Sequence, residues 1–503
     1  VLTPSSWTLL GAAADEFAGH SVAVIGDLNA DGYPEIAIGA PNAAPGGRTS
    51  SGKLYMARGG PAGGVTSLAD LATGVAPGGV IEGDSGGWTA TSSICRPKEP
   101  NIIVSCQPSK AGFNPQASSS GPLGDGFGTS VVAAGDVDED GVPDLIVSAA
   151  YALAHGGYLA GRTYVLSGQS LNSGTSVTVG TLLGGGSSAS LEGERGVQPS
   201  QLFGFSGTNF AYDGHNAGFA LATGDWDGDG VPDLAIGAPN ADPNGNNSGR
   251  TYQLPFGDGI EAASGWLGRM TQSASLVSSG DLTPLPGRVF DGQTTTSFLH
   301  GRVGGRLSGV GDVDDDGTDD LLIGHLGWRN DGWLIPGSAS FATFSGGVPK
   351  RIDLGGATTS EMRRIEGGAW SLSGFGSSIP TLGSAALGRN NIFSEGSGVG
   401  DVNGDGIADF VMAYAELETG TQQVELVVLF GSHGASGSID AGGPDQGVGG
   451  FVVEGRPSGH DITGYFKSAG LGDIDGDGLD DIGLSLLASA SPEDSRVYVI
   501  YGR

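Results

Sequence analysis

The sequence predicts an all-β chain: a six-bladed β-propeller of four-stranded antiparallel blades, its ring closed by the N-terminal strand. Three observations point there. One phrase of glycine, aspartate and apolar residues occurs six times, short apolar runs flank every copy, and no stretch carries the periodicity of a long helix. Seven blades, one of them degenerate, is the alternative.

Composition narrows the class further. The 503 residues include 96 glycines and 25 prolines, with only 16% charged. Without periodicity such a content means low complexity; with it, the glycines mark tight turns. A net charge of −32 repels phosphate backbones and anionic lipid, so no nucleic-acid partner is expected. No apolar run reaches the roughly 18 residues of a membrane helix, so no transmembrane segment is expected. Val1 opens the chain without a basic and apolar leader, as in a mature or excerpted protein.

The copies read GDLNADGYPEIAIGAP from Gly26, GDVDEDGVPDLIVSAA from Gly135 and GDWDGDGVPDLAIGAP from Gly224. The others are GDVDDDGTDDLLIGHL from Gly311, GDVNGDGIADFVMAYA from Gly400 and GDIDGDGLDDIGLSLL from Gly472. Their intervals of 72 to 109 residues suit a small sheet with variable loops. A first strand precedes the phrase, as in SVAVIG (21–26), SVVAAG (130–135) and FALATG (219–224), and the apolar tail of the phrase is the second. Third strands are expected in KLYMARG (53–59), RTYVLSG (162–168), RTYQLPFG (250–257), GWLIPG (332–337), VELVVLFG (424–431) and RVYVIYG (496–502). Fourth strands end in acid and glycine: VIEGD (80–84), SLEGE (190–194), RVFDG (288–292), RRIEG (363–367) and FVVEG (451–455). Four short strands in meander order make a propeller blade. The blades fall at about 21–84, 127–194, 219–292, 303–367, 398–455 and 463–503, with 85–126 an insertion between the first two. The sixth shows three strands, and SWTLLG (6–11) is expected to add its fourth and so remove a sheet edge.

Each phrase spaces oxygen ligands at positions 1, 3, 5 and 9, with a backbone carbonyl at position 7. The sets are Asp27, Asn29, Asp31, Tyr33 and Glu35; Asp136, Asp138, Asp140, Val142 and Asp144; and Asp225, Asp227, Asp229, Val231 and Asp233. They continue as Asp312, Asp314, Asp316, Thr318 and Asp320; Asp401, Asn403, Asp405, Ile407 and Asp409; and Asp473, Asp475, Asp477, Leu479 and Asp481. Carboxylates so crowded repel one another unless a cation sits among them. Alternating hard oxygens around a position-6 glycine describe a Ca²⁺ loop, about six sites in all, with Mg²⁺ the second choice. An EF-hand needs a Glu at position 12, which is apolar here (Ile38, Val147, Ile236); the closing carboxylate falls at position 9 and clips a hairpin instead. The sets hold 22 of the 55 acidic residues, so much of the acidity is a metal signature. At about 2 mM calcium and a dissociation constant of about 0.1 mM, each site adds about 1.8 kcal/mol. Such loading requires an extracellular setting, as a secreted or cell-surface protein.

Cys95 and Cys106 are too few for a structural zinc site and read as a local disulfide, with two free thiols as the alternative.

FAGHSVAVIGDLNADGYPEIAIGAP (17–41) and FGTSVVAAGDVDEDGVPDL (127–145) resemble the FG-GAP repeat of the integrin α-chain propeller. Such repeats also occur in bacterial surface proteins, fungal lectins and lyases. The resemblance implies calcium hairpins on one face and ligand-recognising loops on the other. It departs from integrins in having six blades, a ligand set in every blade and no Arg-Gly-Asp.

The longest insertions are 85–126, 195–218, 258–287 and 368–397. Trp88, Phe113, Phe203, Phe205, Phe210, Tyr212, Trp328 and Trp370 lie in such loops, where aromatics either stack on sugars, anchor a protein or pack the loops. His20, His215, His300 and His460 precede first strands and, with Asp213 and Asp461, are the candidates for acid–base chemistry. The expected function is adhesion or surface recognition of a glycan or protein ligand. A polysaccharide lyase or hydrolase, and a self-assembling lattice or appendage subunit, are the alternatives.

Overall fold

The computed structural model describes residues 7–60, 64–84, 86–88, 123–138, 140–152, 159–171, 176–184, 188–193, 215–245, 247–256, 274–275, 287–293, 302–325, 332–338, 350–355, 361–366, 391–418, 421–434, 439–440, 449–455, 466–486 and 496–503. Alternating apolar residues cut by glycine turns give antiparallel meanders. The first blade runs Ser21–Gly26, Glu35–Ala40, Lys53–Ala57 and Gly78–Glu82 from axis to rim. The second repeats this as Phe127–Gly135, Asp144–Ala149, Arg162–Leu166 and Ala189–Glu192. The third is Leu221–Gly224, Asp233–Ala238, Arg250–Leu254 and Arg288–Asp291, and the fourth Val303–Gly311, Asp320–His325, Gly332–Ile335 and Arg363–Glu366. The fifth is Asn391–Gly400, Asp409–Glu418, Thr421–Leu429 and Gly450–Gly455. The sixth has three strands, Phe466–Gly472, Asp481–Leu486 and Arg496–Ile500. First strands of consecutive blades touch in order from the first to the sixth. The chain is a six-bladed β-propeller.

Five apolar cores fill the five gaps between consecutive blades. Leu54 and Ile81 meet Phe127, Val131 and Val147 between the first and second, and Ile146 and Val165 meet Leu234 and Tyr252 between the next pair. Trp226 and Phe290 meet Leu321 and Trp333, Leu322 and Leu334 meet Phe410 and Val427, and Val411 and Leu426 meet Ile482 and Leu484. Close backbone approach explains two glycines. Gly128 has φ +88, and a Cβ on Gly39 would lie 2.2 Å from the Gly128 carbonyl oxygen, so neither strand can carry a side chain where these two cross.

The rim shows a pairing that strand patterns do not reveal. In each of the second to fifth blades, the link between the third and fourth strands lays a short strand parallel to the previous blade's outer strand. These are Val177–Thr178 on Gly78–Glu82, Ala274–Ser275 on Ala189–Glu192, Lys350–Asp353 on Arg288–Asp291 and Ile439–Asp440 on Arg363–Glu366. The first blade's equivalent, Gly64–Ser67, pairs in parallel with Trp7–Leu10. Trp7–Leu10 therefore stands to the first blade as a preceding outer strand would. The expected ladder between this segment and the sixth blade's third strand is absent among the described residues, where Trp7–Leu10 pairs with Gly64–Ser67 and Arg496–Ile500 only with Asp481–Leu486. The described contacts of this segment run to the first blade. The Glu16 carboxylate accepts the amides of Ala12 and Ala13 and the hydroxyl of Tyr55, and Leu9 and Ala12 pack over Tyr55 and Leu68, which ties the N-terminal segment to the first blade. Val22 and Val24 on that blade, and Leu471, Val499 and Tyr501 on the sixth, are exposed.

Candidate metal centre

Every phrase forms the hairpin between the first and second strands of its blade, and its side chains hold it in one shape. The position-1 aspartate wraps the turn. Asp27 accepts the amides of Asp31 and Gly32 at 3.0 and 2.8 Å; Asp136 accepts Asp140 and Gly141, and Asp312 accepts Asp316 and Gly317. Asp225 holds Gly228 and Gly230, Asp401 holds Gly404 and Gly406, and Asp473 holds Gly476 and Gly478. The position-5 aspartate takes the position-7 amide, so Tyr33, Val142, Val231, Thr318, Ile407 and Leu479 are pinned through their N–H groups. Position 6 requires φ near +90, as at Gly32 and Gly317, which only glycine adopts without strain.

Position 9 does more than the sequence suggests. One oxygen of each accepts the position-2 amide: Leu28 to Glu35 at 2.6 Å, Val137 to Asp144 at 2.9 Å, Trp226 to Asp233 at 2.9 Å, Val313 to Asp320 at 3.1 Å, Val402 to Asp409 at 3.0 Å and Ile474 to Asp481 at 2.9 Å. In five blades the other oxygen accepts an amide just past the third strand, from Gly168, Phe256, Gly337, Gly431 or Gly502. In the first blade the longer Glu35 takes the Asn29 side-chain amide instead. Position 9 is a buried staple joining the loop to the third strand, and an Asp or Glu at the head of a strand was its only sequence signal.

Carboxylate oxygens converge within 4.8 Å of one another in four blades. The groups are Asp136, Asp138 and Asp144; Asp225, Asp227 and Asp229; Asp312, Asp314 and Asp316; and Asp473, Asp475 and Asp481. In the first and fifth blades position 3 is asparagine. The Asn29 amide faces Glu35 and the Asn403 amide faces Asp405, which lowers the local charge and spends one donor in each cluster.

The electrostatics disfavour bare negative charge at these positions. Burial, reinforced by Asp227, pushes Asp233 up to about 9. Burial pushes Asp320 up to about 8, with Asp314 adding, and Asp144 up to about 7, with Asp138 adding. Burial and Asp229 raise Asp227 to about 6. The fit to a metal has a direct sign as well: Asp227 Oδ2 and Asp314 Oδ1 are buried without a hydrogen-bond partner, each beside two further carboxylates. A buried anionic oxygen left so is costly unless a cation meets it. An all-oxygen set of this density suits Ca²⁺.

A scan against known families matches the FG-GAP repeat at residues 18–55, 127–166 and 217–252, each span covering a first strand, its acidic hairpin and the two strands beyond. The first three blades are FG-GAP repeats. The fourth to sixth blades carry an acidic hairpin with the same amide wrapping. No curated protein matches the chain.

Other candidates separate. His215 is buried, and its carbonyl accepts the Asn240 amide. Burial, then Lys467 and Arg306, push His20 down to about 4, so it is neutral at physiological pH. His300, His460, Asp213 and Asp461 lie outside the described residues, as do Cys95, Cys106 and every singled-out loop aromatic except Trp88, which ends the short strand Gly86–Trp88. Among the described residues no helix is long and apolar enough to cross a membrane.

Proposed function

We propose that this FG-GAP propeller is an extracellular recognition module that calcium makes rigid, and that it binds a glycan or protein ligand on the face opposite the hairpins. The observation that carries the calcium half is the pair of buried, unpartnered oxygens, Asp227 Oδ2 and Asp314 Oδ1, inside carboxylate triplets. Asp225, Asp227 and Asp229 would hold the ion in the third blade, and Asp312, Asp314 and Asp316 in the fourth. A bound divalent ion neutralises charges that otherwise repel and locks the turn between two strands. Millimolar calcium, and so an extracellular or cell-surface setting, supports that loading. The recognition half rests on the fold, which serves binding widely.

Electrophoresis through gels cast with different polysaccharides, in calcium and in EDTA, tests both halves. Calcium-dependent retardation without loss of polymer identifies a glycan binder. Clearing of the polymer overturns binding alone in favour of catalysis. Neither effect, with a cell-surface protein captured in calcium only, assigns a protein ligand.

A further inference from the structure

The hairpins are not independent of one another. In the third blade the Asp225 amide donates to Asp319 Oδ2 of the fourth blade at 3.0 Å, and the Asp319 amide donates back to the Asp225 carbonyl at 3.0 Å. The same reciprocal pair joins Asp401 of the fifth blade to Asp480 of the sixth, at 2.9 Å in both directions. Asp319 and Asp480 occupy position 8, outside the ligand set. The next residues along the loops are held too, with the Trp226 carbonyl accepting the Ser338 amide at 2.7 Å and the Val402 carbonyl accepting the Arg503 amide at 2.7 Å.

Position 8 is different in the first three blades. It is proline there, at Pro34, Pro143 and Pro232. A proline has no N–H to return and no side-chain acceptor to offer. Pro143 and Pro232 lie instead against Gly26 and Gly135 of the preceding blades. Between the fourth and fifth blades position 8 is Ala408, which keeps only the backbone half of the clasp, a 3.3 Å bond from its amide to the Asp312 carbonyl. Two junctions thus carry a full clasp, one carries half, and two have an apolar contact.

We propose that Asp319 is a positioning residue for the third-blade cation. By holding the Asp225 amide it fixes the loop's first ligand, so the affinity of that loop is set partly by the blade that follows; Asp480 does the same for Asp401. This rests on the calcium reading above. The reason is geometric. The Asp225 carboxylate is aimed by the Gly228 and Gly230 amides, and its backbone N–H and C=O are both held by Asp319 across the junction. A hydrogen bond accepted at that point removes freedom from the first ligand, as outer partners of metal ligands generally do.

Trp226 provides a local readout, because it sits in the third loop between Asp225 and Asp227. Terbium, a luminescent stand-in for calcium, is titrated while its emission is excited through tryptophan, with W226F showing which signal comes from this loop. The set is wild type, D319A and D319N, since asparagine keeps an acceptor oxygen without the charge. Thermal midpoints in calcium and in EDTA are measured alongside. The expected result is a Trp226-dependent titration about tenfold weaker in D319A and near wild type in D319N. Equal titrations in all three, even with a lower EDTA midpoint for D319A, would show a purely structural bond and overturn the proposal. D319N as weak as D319A would assign the effect to charge and overturn it too. Absence of both sensitised emission and calcium stabilisation in wild type would instead bring down the calcium reading. Should D319A fail to fold, A408N tests the same idea constructively: the acceptor it adds is expected to enlarge the calcium-induced rise in midpoint, and no enlargement contradicts the proposal.

Discussion

Val22 and Val131 hold the same place in the first strands of consecutive blades, yet Val131 is 5% exposed and Val22 57%. Val131 lies in the core shared with the first blade, and Val22 belongs to no such core among the described residues. The same contrast holds for Gly19 and Gly128, which share φ near +90: Gly128 approaches the first blade's backbone, and no atom lies within 4 Å of a Cβ on Gly19.

Val131→Ala is therefore expected to cost about 2 kcal/mol, from lost burial and the cavity left behind. Val22→Ala should change stability by less than about 0.5 kcal/mol. Chemical denaturation of both variants decides, and equal losses would mean that the first and sixth blades press together in solution.

Staple and ligand separate by mutation. Asp233→Ala leaves the buried Trp226 and Phe256 amides without their shared acceptor, so about 3 kcal/mol should be lost in calcium and EDTA alike. Asp227→Ala removes a ligand, and its loss, about 2 kcal/mol, should appear only in calcium. Thermal or denaturant unfolding in the two buffers reads both.

How much of this was legible follows from where the signals lie. The hairpins were readable because turn glycines, wrapped aspartates and strand-heading acids are local and occur six times over. The metal spacing was readable for the same reason. The staple to Gly168 or Phe256 and the clasp of Asp319 on Asp225 were not, because their partners are 23 to 94 residues away or in another blade. The parallel rim strands Val177–Thr178 and Ala274–Ser275 are two residues long, too short to show alternation. The place of Trp7–Leu10 was half legible: it was read correctly as an outer strand, but its tie to the first blade depends on Glu16 and Tyr55 meeting in space.

Metal-free protein should lose stability as pH rises. Asp144, Asp233, Asp320 and Asp409 are raised to about 7, 9, 8 and 6, chiefly by burial, against about 3.9 in an unfolded chain. The folded state then binds more protons than the unfolded one between about pH 4 and 9, so stability is greatest near the lower limit and falls through this window. In EDTA the unfolding midpoint should drop from pH 5 to pH 8. Calcium should blunt the trend, since it competes with the proton on Asp144, a member of its carboxylate triplet. A midpoint in EDTA that rises over this range would contradict the buried carboxylate reading.

The asparagine loops should be the weaker sites. Asn29→Asp and Asn403→Asp each complete an aspartate set, and each is expected to raise the number of calcium ions bound tightly by one. Equilibrium dialysis counts them, and an unchanged number would show that the amide oxygen serves as well.

The most direct single measurement is the unfolding midpoint of the full chain in about 2 mM calcium and in EDTA at neutral pH. With four to six loaded hairpins at about 1.8 kcal/mol each, calcium should raise it by about 7 to 10 °C. Identical midpoints in the two buffers would contradict the claim that a cation occupies the triplets around Asp227 and Asp314.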